Sequence, residues 1–311
     1  MCNRASYMNR ALACAIMFLV MACAASLCEA QAADSSKYEI ISDIPYPNDG
    51  TEYAQERCKL DLYLPKDQKD FPVLVWFHGG FLQGQGKWTR PQAAQRFASE
   101  GFGVVLPNYR VYPRAAYPEF IQDAASVVAW TFQHIAEHGG NPDRLFVGGH
   151  SAGAYLAAMV AMDARYLEQR HLSTRQIAGV ISLSGEMLGV SALWVKRGIY
   201  PKVVDDTTPM FYVRRDVPPF LCLCSERQRS NECEESEQFI EALRAAGHDN
   251  VAFERIPGRD EASMEKMTDP DDPVVKRMLA FMQKIIEEKS LAVDMKHIET
   301  VKFLIEAGAT R

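Results

Sequence analysis

The sequence has 311 residues, 48% hydrophobic and 24% charged, a balance that supports a packed core and excludes a chain that is mainly disordered. Its formal net charge is −6, with both signs interspersed, and the absence of a basic stripe excludes nucleic acid as an expected partner. The length left after a leader suits one large α/β domain or two small ones.

The first 32 residues read as that leader. Arg4 and Arg10 precede an apolar run over 11–27, which is followed by Ala30-Gln31-Ala32. A positive flank, a short apolar core and a small-x-small site predict a secretory signal peptide over 1–32, and with it export to the periplasm or beyond. A membrane span and a lipid anchor at Cys23 are the competing readings. Cys58, Cys222, Cys224 and Cys233 lie beyond the leader. Export permits disulfides, but Cys222 and Cys224 share one strand face at a spacing too wide for easy bonding, so buried packing thiols are expected there.

Beyond the leader, apolar strand-like runs alternate with helical patterns. Residues 56–64 alternate, with Cys58, Leu60, Leu62 and Leu64 on one side and Lys59, Asp61 and Tyr63 on the other, which predicts a half-buried antiparallel strand. Short, nearly continuous apolar runs follow at 73–77, 103–106, 145–147, 180–183, 220–224 and 251–256, as expected of strands buried on both faces of a parallel sheet. Helices are predicted over 118–138, 152–162, 232–246 and 273–288, with Pro118 suited to a first turn and Gly247 to a C-terminal stop. Strands joined by crossover helices imply a mostly parallel, doubly wound sheet with helices on both faces. The stretch 185–218 breaks this rhythm; a cap over a cleft and a packed excursion both fit it.

Chemistry concentrates at two glycine-flanked turns. Gly149-His150-Ser151-Ala152-Gly153 follows an apolar strand and opens a small-residue helix, the context in which a G-x-S-x-G sequence becomes a nucleophile elbow. Only glycine leaves room where such a backbone doubles back. The turn lifts the Ser151 hydroxyl above the sheet and aims a helix N-terminus at the reacting oxygen. The strand 73–77 runs into His78-Gly79-Gly80, where backbone N–H groups of Gly79 and Gly80, joined by that of Ala152, can meet an oxyanion.

At these residues the chain resembles the α/β-hydrolase superfamily, in the carboxylesterase and lipase branch with an HGG motif that includes feruloyl-esterase-like and formamidase-like enzymes. The resemblance covers 38–289. It rests on His78-Gly79-Gly80, Asn108-Tyr109-Arg110, Asp123, the loop 139–144 and the elbow. It implies an α/β-hydrolase fold over 33–289, a small-molecule ester substrate, no metal or organic cofactor, and a triad in the order Ser, acid, His.

The last two members of that triad depart from the pattern. The resemblance puts the acid at Gln228 and the histidine at Glu261. A serine hydroxyl needs a neighbouring base that titrates near neutrality and can return the proton to the leaving alcohol. An ordinary carboxylate, titrating near ~4.3, is a weak substitute unless burial raises it. His78 and His150 belong to the motifs, and none of His134, His138, His171, His248 and His297 is expected at the serine. Glu226, Glu232, Glu234 and Glu235 are alternative acids. The sequence therefore carries two functional readings: a serine carboxylesterase impaired by Gln228 and Glu261, or a catalytically inactive α/β-hydrolase-fold binding protein.

Residues 290–311 lie beyond the hydrolase pattern. The run 297–309 looks like the second half of an ankyrin repeat, while one such unit cannot bury its own face. An amphipathic helix with Ile298, Val301, Leu304 and Ile305 turned inward is the simpler reading, and a protein partner bound through this tail is the alternative use.

Overall fold

The computed structural model describes residues 36–190, 203–227 and 231–308. The leader over 1–32, Gln228, and Trp194 and Tyr200 of the irregular stretch lie outside the described residues, as do the side chains of His297, Ile298, Val301, Leu304 and Ile305.

Eight strands form one sheet: β1 (Tyr38–Pro45), β2 (Lys59–Pro65), β3 (Phe71–Phe77), β4 (Gly103–Pro107), β5 (Gly140–His150), β6 (Gly179–Leu183), β7 (Phe220–Ser225) and β8 (Val251–Ile256). Their order is β1-β2-β4-β3-β5-β6-β7-β8. The β1/β2 and β2/β4 pairs are antiparallel and all the others parallel. The helices are α1 (Glu52–Arg57), α2 (Gln92–Ser99), α3 (Glu119–His134), α4 (Ala152–Met162), α5 (Arg165–Glu168), α6 (Glu232–Ala245), α7 (Glu261–Met264) and α8 (Pro273–Gly308).

Strand alternation divides the core into two layers. Val73, Val75 and Phe77 of β3 pack with Val147, Val180 and Phe220 against α3, α4 and α6 on one face. Leu74 and Trp76 of the same strand pack with Phe146, Ile181 and Leu223 against α2 and α8 on the other. Period-two alternation in a strand covered on both faces produces these two layers from one apolar run. Each fully buried side chain of this kind contributes roughly 1.5–3 kcal/mol of transfer free energy.

Several boundaries differ from the sequence reading, each for a local reason. The antiparallel strand begins at Lys59, because Thr51 caps a short helix through Arg57 by accepting from the Ala54 N–H. Moreover, β2 is buried on both faces, since β1 and β4 flank it and α2 packs nearby. β1 itself is largely exposed and carries no strong apolar run to announce it. The expected loop 139–144 is mostly strand: β5 already begins at Gly140, which pairs with Phe71. The helix begun at Pro273 runs without a break to Gly308, so no boundary separates it from the tail. Leu291 and Met295 on it are exposed.

The described part of the irregular stretch is a packed excursion: the Tyr155 hydroxyl on α4 donates to the Thr207 carbonyl at 2.8 Å. The thiol expectation holds for Cys222, which is buried and free, but not for Cys224. Cys224 at the end of β7 is bonded to Cys233 at the start of α6, with Cα atoms 5.6 Å apart. The strand neighbour Cys222 stands too far off on the same face, whereas the partner of Cys224 comes from the following helix.

Candidate active site

β5 delivers its chain into a sharp turn at Ser151, whose φ of 52° and ψ of −119° lie where L residues are strained. The two flanking glycines are sterically required. A Cβ on Gly149 would lie 2.6 Å from the Phe77 carbonyl oxygen, and one on Gly153 would lie 2.1 Å from it. β3 thus runs so close under the elbow that no side chain fits between them. The Ser151 N–H donates to the Leu183 carbonyl at 2.8 Å, tying the turn to β6. All eleven residues of α4 are buried, mostly alanine and other small or apolar side chains, so its N-terminus is fixed directly beneath Ser151. Ser151 is 6% exposed, and its hydroxyl has no hydrogen-bond partner among the described residues.

The second turn lies against the first. A methyl group placed on Gly79 would stand 3.2 Å from Nδ1 of His150 and 3.5 Å from Cβ of Ser151. Gly80 has φ of 109°, and Phe81 and Leu82 follow at 56° and 58°, so three consecutive left-handed residues throw the loop over the site. The N–H groups of Gly79, Gly80 and Ala152 carry no hydrogen bond among the described residues. The loop is held from below: the Tyr109 hydroxyl donates to the His78 carbonyl at 2.6 Å, and the two rings stack at 4.3 Å. Burial depresses the His78 pKa to about 4, so this imidazole is neutral, and its Nδ1 lies 2.7 Å from the Gly79 carbonyl oxygen. Arg110 is locked to Asp123, with Nη2–Oδ1 at 2.7 Å, both side chains buried. The Asn108-Tyr109-Arg110 sequence is therefore the floor under the glycine loop.

A cavity of about 200 Å³ opens at the elbow, lined by Gly80, Phe81, Arg90, His150, Ser151, Glu261 and Glu265 among others. It brings Ser151 and Glu261 together although they are far apart in sequence. Among the described residues no imidazole nitrogen is hydrogen-bonded to Ser151: His150 lines the cavity but has its Nδ1 3.2 Å from Glu265, His134 meets Glu137 and His248 meets the Pro218 carbonyl. Three of the four alternative acids have partners elsewhere. Glu226 accepts from the Gly258 N–H at 2.8 Å, Glu234 lies 3.5 Å from Arg255, and Glu235 accepts from the Leu188 N–H.

Sequence reasoning missed Glu265. This carboxylate is buried, with Oε2 2.9 Å from Nη1 of Arg90 and 3.2 Å from Nδ1 of His150. Burial works to raise its pKa, but the neighbouring His150 and Arg90 outweigh that effect and hold it below the ordinary value. The three residues join the loop before α2, the elbow and the end of α7, and so seat position 261 beside the serine. Its signal was the spacing: a residue four after 261 in a helical turn returns to the same side.

Residues 60–243, which include the serine elbow and the glycine loop, fit the BD-FAE family model. The chain belongs to the BD-FAE family. This BD-FAE chain is 31% identical over 245 residues to Esterase LipQ of Mycobacterium tuberculosis, a match covering 71% of the chain and 56% of that relative. It is 28% identical over 231 residues to the probable isoprenylcysteine alpha-carbonyl methylesterase ICMEL1 of Arabidopsis thaliana, covering 65% and 48% respectively. The chain spans about half the length of the curated relatives it matches. Among solved structures, the esterase from Pyrobaculum calidifontis superposes with a TM-score of 0.65 at 21% identity, over 86% of this chain and 91% of that one. Esterase B from Lactobacillus rhamnosis gives 0.68 at 18%, over 92% and 99%. At such identities these neighbours establish the α/β-hydrolase fold of the BD-FAE chain.

Proposed function

We propose that this BD-FAE chain is a serine carboxylesterase for small carboxylic esters, with turnover held low because no described imidazole is hydrogen-bonded to the Ser151 hydroxyl. One observation carries the reading: Ser151 and Glu261 share a cavity, and no described histidine is bonded to the hydroxyl. Ser151 Oγ attacks the ester carbonyl carbon. The N–H groups of Gly79, Gly80 and Ala152, unpaired within the described residues and aided by the N-terminus of α4, stabilise the oxygen that becomes negative. The hydroxyl proton must leave during attack and reach the departing alcohol afterwards. With no imidazole bonded to the hydroxyl, this transfer falls to water or to Glu261, and loss of the base in an analogous triad costs around 10⁶ in turnover.

The second reading, a binding protein that keeps the cleft, is favoured by the carboxylate at Glu261, whose charge opposes a developing oxyanion. A fluorophosphonate probe separates the two. Covalent labelling at Ser151, abolished by Ser151→Ala, supports the esterase; an unmodified serine under conditions that label an active esterase supports the binding protein. We also propose export through the leader over 1–32. The Cys224–Cys233 bond supports it, since such bonds persist in oxidising compartments.

A further inference from the structure

We propose that the Ser151 cavity selects ligands that carry a cationic ammonium group, with Glu261 as the counter-charge and the Phe81 ring as a wall. The inference rests on the esterase reading above and narrows it to esters of amino alcohols. Two carboxylates, Glu261 and Glu265, line the cavity together with Arg90 and His150. Arg90 is already committed to Glu265, and Glu265 is shared with His150. Glu261 has no ion-pair or hydrogen-bond partner among the described residues and is half-buried, so its charge is left to solvent and to whatever enters. A neutral or anionic ligand that displaces this water leaves the carboxylate uncompensated, and a cation compensates it.

Phe81 adds a second, independent element. Phe81 is 56% exposed, an unusual position for a large apolar residue; it follows the left-handed Gly80 and lines the cavity. An aromatic face beside a carboxylate suits an alkylated ammonium, whose methyl groups are poorly hydrated and whose charge is attracted to the ring. Ser151, buried to 6% exposure with an unpartnered hydroxyl, faces the same cavity. One small molecule can therefore present an ester carbonyl to the serine and an ammonium to Glu261.

Choline and 3,3-dimethyl-1-butanol test this directly, because they share one shape and differ in charge; 4-hydroxybutanoate supplies the anion. Binding to the full chain is titrated by calorimetry or NMR at low ionic strength. Choline is expected to bind about tenfold more tightly than its neutral isostere. That preference should fall to within about twofold in Glu261→Gln and shrink about threefold in Phe81→Leu. Equal binding of the two alcohols, no measurable choline binding, tighter binding of the anion, or a preference unchanged in Glu261→Gln would each overturn the proposal. The readings fail separately: a labelled Ser151 with no charge preference removes the cation site and leaves the esterase, while choline selectivity beside an unreactive serine does the reverse.

Discussion

At the scale of single residues, buried titratable groups hold the site's shape, and each makes stability depend on pH in its own window. His78 titrates near 6.5 when unfolded and near 4 when buried in the fold. The unfolded chain therefore binds a proton first as pH falls, and stability drops from about pH 6.5 down to about 4, by roughly 3 kcal/mol in all. Denaturant midpoints measured across that range should show this slope, and His78→Asn, which keeps a donor near the Gly79 carbonyl, should flatten it. Glu265 acts lower on the scale. Its folded pKa is depressed, so its contribution is present above the ordinary carboxylate value of ~4.3 and is lost as pH falls through the folded value. Glu265→Gln should cost about 2 kcal/mol at neutral pH, less than a fully buried pair would because Arg90 reaches solvent. The loss should vanish in strong acid; a cost independent of pH would show that packing, and not charge, is what Glu265 supplies. Ser151, Gly79 and Gly80 were legible in the sequence because a strained turn admits few residue types. Glu265 was marked only by its spacing from 261, since its burial depends on partners from two distant segments.

At the scale of elements, the disulfide shows what a clamp between strand and helix does. Cys224 closes β7 and Cys233 opens α6, nine residues apart, and the segment between them carries the position where the resemblance expects the acid. Neighbouring backbone bonds tie its start to the next loop: the Glu226 N–H donates to the Ile256 carbonyl at 3.1 Å and that of Arg227 to the Arg259 carbonyl at 3.0 Å. Cys233→Ser should lower stability by about 2–3 kcal/mol, as expected for a short closed loop. Reducing agent should lower the wild-type midpoint towards that of the variant and leave the variant's own midpoint unchanged. The inner parallel strands and α4 were readable from their apolar runs, because a run buried on both faces must be apolar; β8 departs from that expectation, since as an edge strand it is mostly half-buried and carries Glu254 and Arg255. β1 was not, because five consecutive exposed residues in it remove the alternation that marks a strand. The continuity of α8 was also hidden, since a change in apparent family pattern at 290 is no break in helical propensity.

At the scale of the whole molecule, the fold and the chemistry were legible to different depths. Two apolar layers on one sheet constrain dozens of positions at once, so the α/β-hydrolase architecture survives at 18–22% identity to solved esterases. The reactive centre depends on a handful of atoms, which the two apolar layers do not fix. Arg90, Glu265 and His150 join the loop before α2, the end of α7 and the elbow, and Glu261 lines the same cavity as Ser151. Hydrolysis of a short-chain aryl ester by the native chain, by Glu261→His and by Glu261→His with Gln228→Asp is therefore the most direct measurement. Native kcat/KM should be low, and the double variant should gain at least about a hundredfold, the scale of a general-base contribution. High native turnover that disappears with Ser151→Ala, and that Glu261→His fails to raise, would contradict this.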